Sequence, residues 1–237
     1  MSVRAFAPAS AEPLAPGQEL ELDDEESHYL VKVRRVRVGQ TLELLDPHGS
    51  LAAATLIGLG RRTRVRVDAL RIRPEPPERI LLLGLPDPAA ALEALTGACE
   101  AGASEVVLVA CERSQGRVPA AVRVERIVRA AQRQCGRARA PLVLGLDEAW
   151  SLTRALDHRR ELPGWFAWEA LSGEPGPTLA PAGGLRLLVG PEGGFTSTEL
   201  EPIRAAGMQA VSLGPWILRT PTATVALLAR AWTGTGR

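Results

Sequence analysis

The sequence has little lysine, few cysteines and no long apolar runs. Its three cysteines, Cys99, Cys111 and Cys135, form no C-x-x-C pair and no Cys/His spacing, which argues against a disulfide scaffold and a structural zinc site. No apolar run approaches the ~18 residues of a membrane span, and the first residues lack the apolar core of a secretory signal. We therefore expect a cytoplasmic protein that binds neither a metal nor a membrane.

Two common phosphate-binding motifs are also missing. The chain contains no G-x-x-x-x-G-K and no G-x-G-x-x-G, which weakens P-loop and Rossmann interpretations. What remains is 237 residues with 46% hydrophobic and 23% charged residues, typical of one large or two small globular domains. Of its 28 basic residues all but Lys32 are arginine, a bias that genome base composition can produce and that phosphate-binding surfaces also favour.

The first seventy-odd residues predict a small, mostly β domain. Segments 41–45 and 63–72 show the alternation of half-buried strands, and this alternation places Arg62 and Arg64 on one face of the second strand. A basic face on a small barrel suits RNA, although a solvated strand face explains it equally well.

Charge is segregated within this region even though the whole chain carries a net charge of only +1. Residues 11–26 hold seven acids and no base, whereas residues 31–73 hold ten bases and three acids. The sequence therefore predicts an acidic segment followed by a basic one.

The prolines clustered in residues 73–78 predict a linker, because proline breaks both helix and strand. Beyond it, short apolar runs alternate with helix-like stretches, which predicts an α/β domain with a mainly parallel sheet. The apolar runs are 80–85, 106–110, 142–146, 165–168 and 185–189, and the helices are 88–101, 121–136, 151–160, 198–206 and 221–233. The domains are expected over 1–73 and 79–237.

A glycine-rich segment follows the last buried strand of this domain. The strand 185–189 leads into Gly190-Pro-Glu-Gly-Gly194, and a helix comes next. Ligands of open α/β sheets bind beyond the carboxyl ends of the strands, and glycines let the backbone approach a ligand closely. The segment therefore predicts a ligand-binding loop. The next helix begins with a capping box at Thr196 or Thr198, and Pro202 favours Thr198 because proline suits the first turn.

A second motif covers residues 213–223. Thr220 is predicted as the N-cap of the last helix and Pro221 as its first helical residue. Arg219 lies just before this helix, where the dipole repels cations, so an anionic partner explains the arginine better than helix stability does.

A third motif joins Glu112-Arg-Ser114, at a strand end, to Gln134-Cys-Gly-Arg137, at a helix end. Arginines recur three or four residues apart along this helix and predict a basic ridge, at 123, 126, 129, 133 and 137. RNA phosphate contact is favoured over a solvated helix face because the ridge contains few acids to balance its charge.

Together these segments resemble the 16S ribosomal RNA uridine-N3 methyltransferases of the SPOUT class, the RsmE family. The segments that carry the resemblance are Leu187–Phe195, Leu213–Ala223, Glu112–Ser114, Gln134–Arg137, Arg4–Phe6 and His28–Arg35 with Gly39. The resemblance implies a small PUA-like β-barrel followed by an α/β trefoil-knot domain, and a homodimer with its active site at the subunit interface.

The resemblance also implies a cofactor, a substrate and site residues. S-adenosylmethionine would contact Glu169, Ala170, Gly190, Pro191, Glu192, Gly193, Leu213, Gly214, Ile217 and Leu218. Ribosomal RNA, free or in the assembled 30S subunit, would contact Arg4, His28, Arg35, Arg62, Arg64, Arg113, Gln134 and Arg137. Arg219 is the expected electrophile for a uracil carbonyl, and Glu192 is a candidate base for the N3 proton, although it could instead bond backbone N–H groups.

The chain departs from the family pattern at three positions. Gly97 stands where the family usually has lysine, Trp216 where it has arginine, and Pro221 where it has glutamate. Two alternatives therefore stay open at this point: a SPOUT enzyme with another RNA target, and a non-catalytic RNA-binding or ribosome-assembly protein that retains the fold.

Overall fold

The computed structural model describes residues 3–46, 48–71, 76–168, 177 and 181–232. The first part of the predicted linker, residues 73–75, lies outside these ranges. The chain forms two compact units. One contains residues 1–75 and 132–140, and the other contains residues 76–131 and 141–237.

The first unit is built on a five-stranded sheet. Its strands are β1 (Arg4–Phe6), β2 (Glu19–Glu21), β3 (Thr41–Leu45), β4 (Leu51–Gly58) and β5 (Arg64–Arg71), and α1 (Asp24–His28) leads into a π-helical turn (Tyr29–Val33). The spatial order is β1-β3-β4-β5-β2, with β1 parallel to β3 and the other pairs antiparallel. As predicted, β5 alternates: Val65 and Val67 are buried in the core, whereas Arg64 and Arg66 are exposed.

The second unit is built on a sheet of seven parallel strands. They are β6 (Arg79–Gly84), β7 (Glu105–Ala110), β8 (Leu142–Leu144), β9 (Trp150–Ser151), β10 (Gly164–Ala167), β11 (Leu185–Val189) and β12 (Met208–Val211). Their order is β12-β10-β11-β6-β7-β8, with β9 beside β7.

Five helices belong to the chain beyond the first unit's sheet. They are α2 (Pro88–Glu100), α3 (Ala121–Cys135), α4 (Leu152–Asp157), α5 (Ser197–Ala205) and α6 (Thr220–Trp232). All five predicted helices form, two of them starting at the predicted residue, and no end differs by more than three residues from expectation. The sheet topology makes the second unit an α/β domain, as the alternating runs and helices predicted.

The central strands are buried on both faces, which explains why they appear in the sequence as continuous apolar runs. Successive side chains of β6 enter different cores: Leu81 and Leu83 join the one that contains α2, α3 and α6, whereas Ile80 and Leu82 join the one that contains α4 and α5. Because the strands are parallel, their carboxyl ends meet at one edge of the sheet.

Candidate active site

A cavity of about 290 Å³ lies at the carboxyl ends of β10 and β11. Its wall comes from the ends of these strands, the loop after β11, the loop after β12 and the first turn of α6. The lining residues are Ala167, Trp168, Val189–Phe195, Leu213, Gly214, Trp216–Leu218, Thr220 and Ala223. This location is where ligands of parallel sheets bind.

The glycine-rich loop is held in shape by its own backbone and by α6. The Gly194 N–H donates to the Pro191 carbonyl over 2.8 Å and closes a turn, in which Gly194 has a φ of +66° that favours glycine. The Thr220 hydroxyl donates to the Gly190 carbonyl over 3.2 Å. The loop is therefore ordered by contacts that need no ligand.

Arg113 supports the same loop from β7's end. Its Nη1 donates to the Gly193 carbonyl over 2.7 Å, and a Cβ added at Gly193 would lie only 3.0 Å from the Arg113 Cβ. A side chain at 193 would therefore crowd Arg113, whose guanidinium fixes the carbonyl of the glycine. Arg113 was expected to contact RNA, which stays a prediction, and the structure gives the side chain this second contact.

The helix after the loop begins differently from expectation. The capping box uses Thr196 and Glu199, so the preference for Thr198 was wrong, and Pro202 lies in the second turn of α5 rather than the first. The reason is that Glu199 is buried and accepts two backbone N–H groups, from Thr196 over 2.9 Å and from Glu112 over 2.8 Å. By bonding both the segment after β7 and the N-cap of α5, the Glu199 carboxylate determines that the helix starts after Thr196.

The same carboxylate influences a buried thiol. Burial, and to a smaller extent the neighbouring Glu199 carboxylate, raise the pKa of the Cys111 thiol to about 12. Cys111 therefore stays protonated at neutral pH, and it is poorly suited to act as a nucleophile.

The start of α6 also differs by one residue from the prediction. The helix begins at Thr220, and the Arg219 carbonyl accepts the first helical bond from the Ala223 N–H over 2.8 Å, so Arg219 takes the N-cap place expected for Thr220. The reason is that the Thr220 hydroxyl bonds the Gly190 carbonyl instead of capping its own helix.

Arg219 and Glu192 are the two candidate catalytic side chains, and both are exposed. The Arg219 side chain is 69% exposed, and its Nη2 lies 3.4 Å from Glu93 Oε2 on α2. Glu192 lines the cavity, and within the described part of the chain no hydrogen-bond donor is found on its carboxylate. The alternative in which Glu192 bonds the N–H groups of its own loop is therefore absent from this structure.

The structure brings the described cofactor-site predictions together in one wall. Eight of them line the cavity: Gly190, Pro191, Glu192, Gly193, Leu213, Gly214, Ile217 and Leu218. Glu169 and Ala170 lie outside the described residues. Eight lining residues were not predicted as cofactor contacts, although Gly194 belongs to the predicted loop and the Thr220 hydroxyl was suited to bond a neighbouring backbone group. They are Ala167, Trp168, Val189, Gly194, Phe195, Trp216, Thr220 and Ala223.

In the first unit, the segregated charges of the sequence meet in space. Strand β2 pairs with β5, which brings Glu19 to 2.6 Å from Arg64, and Asp24 at the start of α1 lies 2.7 Å from Arg62. The hydrogen bond and charge of Arg62 lower the pKa of Asp24. Both predicted RNA-contacting arginines on this face therefore have carboxylate partners, and their RNA contact stays a prediction.

Arg4 and Arg133 have structural contacts in the same unit. Arg4 pairs with Glu43 at 2.8 Å and donates to the carbonyls of Arg133 and Gln134 at the end of α3. Arg133 pairs with the buried Glu26 and stacks over the Tyr29 ring at 4.0 Å. The predicted basic ridge is therefore wrong at Arg133, because an aromatic ring and a buried carboxylate hold its guanidinium.

The remaining predicted RNA residues differ in exposure. His28, Arg35 and Gln134 are exposed and Arg137 is half-buried. Arg35 has a φ of +52°, a left-handed backbone conformation that residues other than glycine seldom adopt. It belongs to an exposed basic segment with Lys32, Arg34 and Arg37.

Other kinds of site are absent from the described ranges. There, no group of three or more His, Cys, Asp and Glu side chains is placed to hold a metal ion, and no helix is both long and apolar enough to cross a membrane.

Comparison with known proteins agrees with this architecture. A family model described as an RNA methyltransferase domain matches residues 73–232, and one described as an RNA methyltransferase PUA domain matches residues 22–65. The chain is 35% identical over 221 residues to the ribosomal RNA small subunit methyltransferase E of Mycobacterium bovis, which covers 87% of this chain and 83% of that protein. The Mycobacterium tuberculosis protein shows the same identity and coverage.

A solved structure gives the same result. The crystal structure of a ribosomal RNA small subunit methyltransferase E from Neisseria gonorrhoeae, bound to S-adenosyl methionine, matches with a TM-score of 0.83 at 29% identity over 98% of both chains. The expected N-terminal PUA domain and C-terminal SPOUT-class α/β domain are confirmed. The chain therefore belongs to the RsmE family, the ribosomal RNA small subunit methyltransferases E.

Proposed function

We propose that this protein transfers a methyl group from S-adenosylmethionine to N3 of a uridine in 16S ribosomal RNA. Family membership supports the general activity, S-adenosylmethionine-dependent methylation of ribosomal RNA. The observation that carries the finer proposal is the cavity, in which all the described cofactor positions meet beside an exposed arginine and an exposed carboxylate.

The residues of the cavity fit this cofactor. Glycines and apolar side chains form most of the wall, which leaves backbone groups free to bond an adenine and an amino-acid moiety. Glu192 is the one charged side chain among the described lining residues, and its negative charge complements a sulfonium. When bound, the cofactor supplies an electrophilic methyl group.

The chain's own side chains supply the rest of the chemistry. Uridine N3 carries a proton that must leave before or during attack, and Glu192 is the carboxylate positioned at the cavity to accept it. The negative charge then spreads to the uracil carbonyl oxygens, where Arg219 stabilises it by donating a hydrogen bond. Alignment of N3 with the methyl group lowers the barrier further.

Two of the three departures from the family pattern have an explanation in the structure. A Cβ at Gly97 would lie 2.6 Å from the Val225 Cγ2, so a side chain there would require Val225 on α6 to move. Pro221 lies in the first turn of α6, where its missing N–H costs nothing, and Glu93 provides Arg219 with a carboxylate. Both departures therefore have explanations in local packing and backbone geometry that do not depend on a loss of activity.

RNA contact is proposed for the first unit and the motif residues. The exposed basic segment with Arg35 is the best candidate there, because its cations have no carboxylate partner among the described residues, unlike Arg62 and Arg64. The proposal includes the implied homodimer, the cytoplasmic location, and domains over 1–73 and 79–237.

The decisive experiment is methyl transfer from labelled S-adenosylmethionine to undermethylated 30S subunits and to free 16S RNA, followed by mass spectrometry of the nucleosides. A 3-methyluridine peak supports the proposal, and a different methylated nucleoside would indicate another target. Absence of methylation would contradict it if an active family enzyme works alongside and calorimetry shows cofactor binding. Light scattering of the same sample tests the dimer.

A further inference from the structure

The chain has one exposed aromatic side chain, and it lies at the cofactor cavity. Of the five tryptophans, three phenylalanines and one tyrosine, all of which the structure describes, eight are buried or half-buried. Trp216 is the exception, with 79% of its surface exposed, and it lines the mouth of the cavity. The other two aromatic residues of the cavity wall are less exposed: Trp168 is half-buried and Phe195 is buried.

The loop between β12 and α6 holds Trp216 outward. Leu213 and Leu218 pack against the core that contains α6, whereas Trp216 and Ile217 between them are exposed. Gly214 permits this course, since its φ of +125° is one that side chains rarely adopt. The apolar residues of the loop therefore divide into two that anchor it and two that face solvent.

An exposed indole beside a ligand cavity offers a flat surface on which a planar partner can stack. Such side chains are typical of binding surfaces, where they supply a large flat contact area at a low entropic cost. The implied homodimer has its active site at the subunit interface, so the occupant we argue for is the substrate bound at that site, and the mass of the variant tests for a subunit contact. A planar ligand fits the exposed indole.

The chemistry of the proposed reaction requires such a ligand nearby. A base that is methylated on its Watson–Crick edge has to leave its stack, and proteins hold such bases against aromatic faces. Arg219, three residues after Trp216, is also exposed, so a base on the indole would lie near the proposed electrophile. Because Trp216 also lines the cofactor cavity, the affinity for S-adenosylmethionine has to be measured beside the affinity for RNA to separate the two contacts.

We propose that Trp216 stacks on a nucleobase of the RNA substrate at the mouth of the cofactor cavity. This inference rests on the proposed function for the identity of the RNA. The family's arginine at this position has a planar guanidinium, which can also stack on bases, so the tryptophan extends the same kind of contact.

The test compares Trp216→Ala, Trp216→Phe and Trp216→Arg with Val122→Ala, a matched control at a side chain of equal, 79%, exposure. We expect Trp216→Ala to raise KM for undermethylated 30S subunits and Kd for a uridine-containing RNA by about 5- to 150-fold, the usual range for loss of one stacked base. Trp216→Phe and Trp216→Arg should retain most of the affinity. The Kd for S-adenosylmethionine and the light-scattering mass should not change.

Tryptophan fluorescence gives a readout that does not depend on turnover. Adding the RNA should quench part of the wild-type emission, and this part should be missing in Trp216→Ala. Quenching that depends on Trp216 supports the inference even if no methylation is found, in which case only the proposed function fails. Unchanged RNA affinity in Trp216→Ala, a weaker affinity for the cofactor, or a smaller mass would each overturn it, as these indicate a bare surface residue, an adenine contact and a subunit contact.

Discussion

The two ends of the seven-stranded sheet use charge in opposite ways. At the amino ends of the central strands, Arg79 and Arg186 are completely buried and their guanidiniums bond carbonyl groups of the protein. At the carboxyl ends, Arg219 and Glu192 are exposed beside a cavity. The charged groups at the amino ends therefore bond the protein itself, whereas those at the carboxyl ends are accessible to a ligand.

The buried arginines act as connectors between helix ends and strands. Arg79 donates to the Ala231 carbonyl near the end of α6 and to the Gly183 carbonyl, and it stacks on Trp232 at 4.5 Å. Arg186 donates to the carbonyls of Leu156, Leu162 and Ala206, which lie near the ends of α4 and α5. Burial lowers the pKa of both arginines, so these bonds offset a desolvation cost.

The largest effect is expected from removing one of these connectors. Arg79→Met keeps an unbranched stem but leaves several buried carbonyls without a donor, which should lower the free energy of unfolding by about 3 kcal/mol. Urea unfolding measures this change. The matched control is Arg160→Met, since Arg160 forms only an exposed pair with Asp157 and its loss should cost less than about 0.5 kcal/mol. Equal stability of the two variants would show that the buried contacts contribute nothing.

At the carboxyl end of the sheet, replacing an arginine should lower activity and leave the free energy of unfolding almost unchanged. Arg219→Ala is expected to lower kcat for methylation by about 100-fold, because it removes a donor to the developing oxyanion, with little change in unfolding. Arg204→Ala, an exposed arginine of α5, is the control. An Arg219→Ala enzyme with full kcat, or one that unfolds readily, would remove Arg219 from the mechanism and weaken the contrast between the two ends.

The sequence predicted the second unit well because its signals are local. Apolar runs and caps fix the strands and helices, and the glycine-rich segment fixes the ligand loop. The misplaced cap at Thr198 shows where local rules fail, since the choice of Thr196 depends on Glu199 reaching Glu112, a residue 87 positions away in the chain. Side-chain bonds across such distances leave no periodic signal.

The arginines show the same limit more strongly. Arg4, Arg62 and Arg133 all looked basic and free in the sequence, and each has a carboxylate partner that only the fold brings near. Strands β1 and β2 were not predicted because three residues carry too little alternation to recognise, and β4 was not predicted because its apolar and small residues do not alternate with polar ones. The pairing of β2 with β5, and hence the charge of that face, could not be predicted.

Arg113 lies at the carboxyl end of the sheet but, like the buried arginines at the other end, it bonds a backbone carbonyl. We expect its replacement to have a smaller effect than that of Arg79 or Arg219. It is exposed like a ligand-facing residue, yet it bonds a backbone carbonyl of the glycine-rich loop. Arg113→Ala should loosen this loop and raise the Kd for S-adenosylmethionine about tenfold, or about 1.4 kcal/mol. Calorimetry tests this against Arg117→Ala, a neighbouring exposed arginine. Unchanged cofactor affinity together with weaker RNA binding would assign Arg113 to the RNA alone.

The smallest effect is expected at Cys111, a buried residue that directly follows the carboxyl end of β7. Its pKa of about 12 means that the folded state favours the protonated thiol, so its stabilising contribution is complete below the ordinary thiol pKa and is lost as pH rises toward 12. At pH 8, iodoacetamide should modify the half-buried Cys135 first and leave Cys111 unmodified, whereas denaturant should expose all three thiols. Peptide mass spectrometry reads each site. Rapid modification of native Cys111 would mean that the carboxyl end of the sheet opens in the folded protein. The hydrogen bonds that the Glu199 carboxylate accepts from Glu112 and Thr196 would then be weaker restraints than the buried arginine contacts at the opposite end.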